Sequence, residues 1–325
     1  MPSYITRRTL LGAGAALAAF PHGASAQSYP NGQVRLIVPT PAGGVTDTMA
    51  RIVAQRLAEV LNQTVIVDNR PGGNGGIGSQ AVERSAPDGL TLLVTSDATI
   101  TANPFMTSKL SYNAKEFTPI IVLCRGMPVL VVHADVPAKS TQELIALAKA
   151  KPGTLNYGSY GIGTYAHLSM EDFKQRTGTD IVHIPFRGAA PAANALLGGS
   201  VNILLLNLSS IADHEKTGKV RILAAAGDKR IPVRPDLPTI SEAGVPGFQI
   251  TVWFGMFGPP KMPADLVNRI HADVSKVLDL PQSKESFEKN SFERVRLSPP
   301  EFAKLIADDS RHWEAIIKQV GAKID

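Results

Sequence analysis

Three segments rich in glycine and hydroxyl groups carry what chemistry this chain can do. "VPTPAGGVTDTMAR" follows an apolar run, turns through Ala42, Gly43 and Gly44, and opens a helix that Thr46 or Asp47 would cap. "NYGSYGIGTYAHLSMEDF" repeats the design with Gly158, Gly161 and Gly163, and with hydroxyls at Ser159, Tyr160 and Thr164. Thr164 would cap its helix, and His167 would sit on the first turn, where it orients a ligand or simply bonds its neighbours. "HIPFRGAAPAANALLGG" places Phe186, Arg187 and Gly188 between a strand and a helix, and Asn207 ends a further apolar run. Glycines let backbone approach a ligand closely, and the first-turn N–H groups and dipole of a helix favour an anion. Arg187 could hold a carboxylate bidentately or be a surface arginine. Asp47 would repel an anion set directly on it. An anion there must be held by backbone N–H groups, Thr46 or water.

A competing motif is "RPGGNGGIG", in which Gly73, Gly75 and Gly78 match the G-x-G-x-x-G dinucleotide fingerprint. Asp97, ending "LTLLVTSD", stands where a ribose-binding acid would. A true fingerprint follows its strand directly. Here residues 68–72 intervene after Val67, and the helix that follows, 79–85, is short. The glycines then read as a turn that lets chain and helix pack closely, beside the mouth of a cleft. An exported NAD(P)-dependent oxidoreductase stays the alternative from the enzyme class. No G-x-S-x-G elbow, paired cleft acids, catalytic triad spacing or Cys/His metal set is present. No cofactor or metal is expected. The single cysteine, Cys124, lies in "IIVLC" and reads as a core thiol.

The elements that must position these loops are legible. Short runs such as "VRLIVPT", "TVIVDN", "LTLLVTS", "DIVHIPF" and "VNILLLN" are apolar on nearly every position, as in strands covered on both faces. They alternate with helical patterns, including an apolar stripe through Met49, Val53 and Leu57. Capping boxes at Ser140–Glu143 and Ser298–Glu301 open two more helices. The pattern predicts an α/β fold with mainly parallel sheets flanked by helices, ligands binding beyond the strands' carboxyl ends. "TPIIVLCRGMPVLVVHA" is two strands long and suits a chain leaving one domain for another; "ITVWFGMFGPP" would carry it back, and the helices from Ala264 would pack on the first domain. One large sheet with a long bent strand is the alternative.

Arg7 and Arg8, the apolar run Leu10–Phe20 and Ala24-Ser25-Ala26 have the layout of a twin-arginine export signal, cut after Ala26. Without Arg7 and Arg8 the 33 basic residues fall to 31 against 28 acidic, a net +3. That balance, with no long basic run, argues against nucleic-acid binding.

The chain resembles the substrate-binding proteins of tripartite tricarboxylate transporters, the Bug receptors. The likeness runs along "YPNGQVRLIVPTPAGGVTDTMAR", "VIVDNRPGGNGGIGSQAVERSAPDGLTLL", "GTYAHL", "VHIPFRGAAPA", "DLPTISEAGVPGF" and "WFGMFGPP". It implies a periplasmic, two-lobed receptor of the type II binding-protein fold that closes over a small carboxylate and delivers it to a membrane permease. It also implies a monomer, with lobe 1 at residues 27–125 and 252–325 and lobe 2 at 126–251. The ligand loops it implies are Ala42–Asp47, Ser96–Thr99 (with Asp97), Ser159–Thr164 and the Phe186-Arg187-Gly188 turn. Two departures fall on the expected pocket wall: Leu206 where the family often has an acid, and Thr40 where an aromatic is common. A receptor that senses for a two-component system fits the same residues.

Overall fold

The computed structural model describes residues 29–250 and 252–324. The expected export signal, 1–26, lies outside the described residues, as does Thr251 at the end of the expected second lobe. The chain begins with β1 (Val34–Val38), α1 (Val45–Leu61), β2 (Val65–Asn69), α2 (Gly76–Glu83), β3 (Thr91–Ser96), α3 (Asp97–Thr101), α4 (Asn103–Met106) and β4 (Thr118–Gly126). It continues through β5 (Pro128–His133), α5 (Thr141–Ala150), β6 (Asn156–Ser159), α6 (Tyr165–Thr177), β7 (Val182–Pro185), α7 (Ala189–Leu197), β8 (Ile203–Asn207), α8 (Ala212–Lys216) and β9 (Val220–Ala225). It ends with β10 (Trp253–Gly258), α9 (Ala264–Asp279), α10 (Pro281–Lys289), β11 (Phe292–Glu293) and α11 (Pro299–Val320).

The strands form two sheets, ordered β11-β4-β10-β3-β1-β2 and β7-β6-β8-β5-β9. Both are mixed rather than mainly parallel. β1 runs parallel to β2 and β3, and β6 parallel to β7 and β8. β10 runs antiparallel between β3 and β4, and β5 antiparallel between β8 and β9. The cause is the double crossing. β1, β3, β6 and β8 end beside the ligand loops, whereas β5 and β10 begin there, each having just entered its sheet. Apolar patterning reports burial on both faces but not strand direction.

The helices are held by the stripes read from the sequence. Met49, Val53 and Leu57 on α1 share one core cluster with Val267, Ile270, Val274 and Val277 on α9, all buried. Each such side chain contributes roughly 1.5–3 kcal/mol through removal from water. A second cluster sets Trp253, Phe257 and Phe302 ring against ring, 5.1–6.1 Å apart. Cys124 is wholly buried in β4. The Ser298–Glu301 box opens α11, with Ser298 N donating to Glu301 Oε2 at 2.8 Å. α2 starts at Gly76, ahead of the expected 79–85. A Cβ on Gly78 would stand 2.9 Å from Pro39 Cα, so the motif's last glycine does let the helix pack against the chain. No described helix is long and apolar enough to cross a membrane.

Candidate functional site

Between the two sheets lies a cavity of about 230 Å³. The N-termini of α1, α6 and α7 converge on it through Val45 and Thr46, Thr164 and Tyr165, and Ala189; the short α3 adds Asp97 and Ala98. First-turn N–H groups have no intrahelical acceptor, so they are free to meet a ligand. Pro128, Val252, Phe254 and Phe292 give the cavity an apolar floor, and Ser96, Tyr160, Asn207 and Ser210 complete its polar lining. Among the described residues, no lysine, arginine or histidine lines it. An anion here must be stabilised by dipoles and hydroxyls.

The first turn is braced from behind. Gly44, not Thr46 or Asp47, is the N-cap of α1. Asp47 sits one turn in and reaches back. Its carboxylate accepts from Gly43 N at 2.9 Å, Arg51 Nε at 2.9 Å and Asn69 Nδ2 at 3.0 Å. Burial works against its charge, but these bonds hold the carboxyl below the usual carboxylate range. Asp47 therefore fixes the Ala42–Gly44 turn and does not face the cavity, leaving Thr46 in the lining.

The second cradle is built the same way. Thr164 is the N-cap of α6, yet its hydroxyl donates to Gly161 O at 2.8 Å. The capping acceptor is His167, whose Nδ1 takes the N–H of Gly163 at 3.2 Å. His167 is buried and outside the cavity lining. Ser159 is fully buried and lies 2.6 Å from His183 Nε2, while its Oγ accepts from Gly161 N at 3.3 Å. Tyr160 donates to Leu205 O at 2.7 Å, and burial pushes its phenol up. Phe186 N donates to Ser159 O and Gly188 N to Tyr160 O, so the Phe186-Arg187-Gly188 turn is stitched to the cradle. Arg187 itself is exposed and lies outside the lining. The geometry gives it no part in the cavity.

Asp97 lines the cavity, is 1% exposed, and has Oδ2 without a hydrogen-bond partner among the described residues. Burial, aided by the negative charge of Asp309, pushes its carboxyl well above the usual range. A carboxyl shifted in this direction repels a neighbouring anion less than an ordinary one would. Thr99 bonds Thr95 Oγ1 at 2.8 Å and faces a smaller adjoining recess shared with Asn74, Ile162 and Gly163. Asn74 is the motif residue that reaches the cleft mouth. Asn207 spans the hinge, accepting from Met127 N at 2.7 Å and donating to Asn290 O at 2.9 Å. Leu206 is buried in the core of the second sheet, and Thr40 is absent from the lining, so neither departure touches the cavity wall.

The sequence reading did not single out Gly126, Pro128, Tyr165, Ala189, Ser210, Val252, Phe254 or Phe292, and it reached Val45 and Ala98 only as members of the loops Ala42–Asp47 and Ser96–Thr99. Some were within reach: Tyr165 follows the cap Thr164, and any strand crossing the hinge must floor the cleft. Phe292 lies on a two-residue strand with no signal of its own.

The model of the tripartite tricarboxylate transporter family receptor matches residues 49–322. The chain belongs to this receptor family. A UPF0065 protein from the gbd 5' region of Cupriavidus necator is 36% identical to the receptor over 321 residues, 98% of this chain and 97% of that one. Among solved structures, Rpa4515 of R. palustris with adipate matches with a TM-score of 0.82 at 32% identity, covering 91% of this chain and 100% of that one. MatC of Rhodopseudomonas palustris with bound malate gives 0.78 at 30% identity over 89% and 100%. The periplasmic binding protein BugD gives 0.78 at 29% identity over 91% and 99%. The fold is thus that of a periplasmic binding protein, and the family is one of receptors rather than enzymes.

Proposed function

We propose that this receptor binds a small organic carboxylate, a di- or tricarboxylate or an aromatic acid, by closing two lobes over it, and passes it to the permease of a tripartite transporter. The observation that carries the reading is the convergence of helix N-termini on a cavity that no basic side chain among the described residues lines. Its volume, below the roughly 300–1,000 Å³ of sites for drug-sized ligands, suits a small acid. The adipate and malate bound by structural relatives support the same class. Lobe 1 comprises 27–125 and 252–325, and lobe 2 comprises 126–251. The ligand sits between Thr46, Ser96 and Asp97 on one side and Tyr160 and Thr164 on the other. The receptor works as a monomer in the periplasm, exported by the twin-arginine route, and catalyses nothing. Ligand bridging stabilises the closed form and shifts an existing equilibrium.

A thermal-shift screen of organic acids tests this. A ligand at a hundred times its Kd stabilises by about 2.7 kcal/mol, so a few carboxylates should raise the melting temperature clearly. A flat response across di-, tri- and aromatic acids, or tight NAD(P)H binding by tryptophan quenching, would refute the reading.

A further inference from the structure

Behind the glycine cradle two histidines lie face to face. The His167 and His183 rings are 4.3 Å apart and nearly parallel, and His183 also stacks on Tyr157 at 4.7 Å. Both ends of the ligand loop hang on this stack. His167 Nδ1 accepts from Gly163 N, and His183 Nε2 meets the Ser159 hydroxyl that accepts from Gly161 N. Gly163 N can donate only to a bare nitrogen, so the neutral His167 carries its proton on Nε2. A second proton would set an N–H against the N–H of Gly163. It would also place a charge on the stacked ring. The charged groups facing the pair are Glu171 and Lys174 of α6, bonded to each other at 2.8 Å, with Glu171 also accepting from Tyr157 OH at 2.6 Å. Glu171 is thus already engaged by two donors.

We propose that His167 and His183 are positioning residues of the cradle, that His167 holds Gly163 in binding geometry only while its ring is neutral, and that acid therefore loosens the cradle and weakens ligand binding. Burial lowers both imidazoles; for His183, with His167 beside it, the value falls to about 4. A histidine depressed in the folded state loses its contribution as pH falls from the free value, about 6.5, toward the folded one. Acid is therefore the direction in which the cradle opens.

The ligand arm of the test rests on the carboxylate-receptor reading; the amide arm does not. In the ligand-free protein, the Gly163 amide followed by NMR should lose exchange protection as pH falls from about 7 to about 5, although intrinsic exchange slows in acid. His167→Asn, whose Oδ1 replaces the Nδ1 acceptor without titrating, should abolish that loss. With adipate as probe, wild-type affinity should fall about tenfold more than that of His167→Asn over the same range, since the probe's own titration is common to both. A Gly163 amide that keeps its protection in acid, or identical affinity profiles for wild type and variant, overturns the proposal. Should adipate fail to bind at any pH, the reading of adipate as ligand fails and the amide decides. Should the variant not fold, the wild-type amide decides alone.

Discussion

Asp47→Ala should unfold the brace of the first ligand turn at a cost that can be worked from its partners. The side chain is 4% exposed and accepts three hydrogen bonds. Arg51 is 55% exposed, so its half of the ion pair returns to water and counts for little, about 0.5 kcal/mol. Gly43 N and Asn69 Nδ2 are partly buried and lose a charged acceptor, about 1.5–3 kcal/mol for the pair. The sum is about 3 kcal/mol. Asp47→Asn keeps a neutral acceptor and should recover about half of it. Urea unfolding at neutral pH measures both. Because hydrogen bonds depress this carboxyl, its contribution is present above the unfolded value of about 3.9 and is lost as pH falls through the lower folded value. The gap between wild type and Asp47→Ala should accordingly close in acid. A loss below about 0.5 kcal/mol at neutral pH, or a gap that widens in acid, would refute the brace.

Thr164→Ala should weaken carboxylate binding about three- to tenfold without unfolding the protein, because Thr164 lines the cavity and its hydroxyl tethers only Gly161 O; unchanged affinity by calorimetry would remove it from the site. At Gly163 the backbone has φ of 81°, and a Cβ would stand 2.6 Å from Met106 Sδ and 2.9 Å from Ile324 Cδ1. Gly163→Ala should cost about 1–2 kcal/mol and reduce affinity together, read by denaturation and titration, whereas wild-type behaviour in both would refute the close approach. Asp97→Asn tests the buried acid. A carboxyl raised in the folded state loses stability by about 1.4 kcal/mol per pH unit between about 3.9 and its folded value, and asparagine does not. The variant should gain on wild type as pH rises from about 4 to 7 in paired melts; a relative loss would show that Asp97 is ionised and bonded.

The loops were legible because each combines a strand end, glycines and a cap within a few residues. Thr46, Asp97 and Thr164 line the cavity, whereas Ser159 is buried behind its loop. Direction within the sheets was not, since β5 and β10 reverse only because they start at the hinge. For Asp47 and His167 the sequence left two roles open, and the supporting one is realised: both turn backwards onto their own loop's N–H groups. A residue on the first turn can face the site or support it, and spacing is the same in either case. The contribution of Phe292 depends on a chain reversal that brings β11 back some 40 residues after β10 begins, which no local pattern encodes.

The two crossings are joined to each other. Gly126 N donates to Val252 O at 2.9 Å, Trp253 pairs with Arg125, and Ala226 closes the far side by donating to Pro128 O and accepting from Ile250 N. What links the lobes is therefore a short woven ribbon and not two independent threads. A ribbon twists and flexes readily about its length but resists shear, so on the proposed closure the lobes would swing while their facing loops stay in register. On the proposed closure over a carboxylate, the stiffness of this ribbon would set how often the empty receptor samples the closed form. Substitutions at Gly126 or Val252, which touch the cavity only at its floor, should thus tune affinity for every ligand by one common factor.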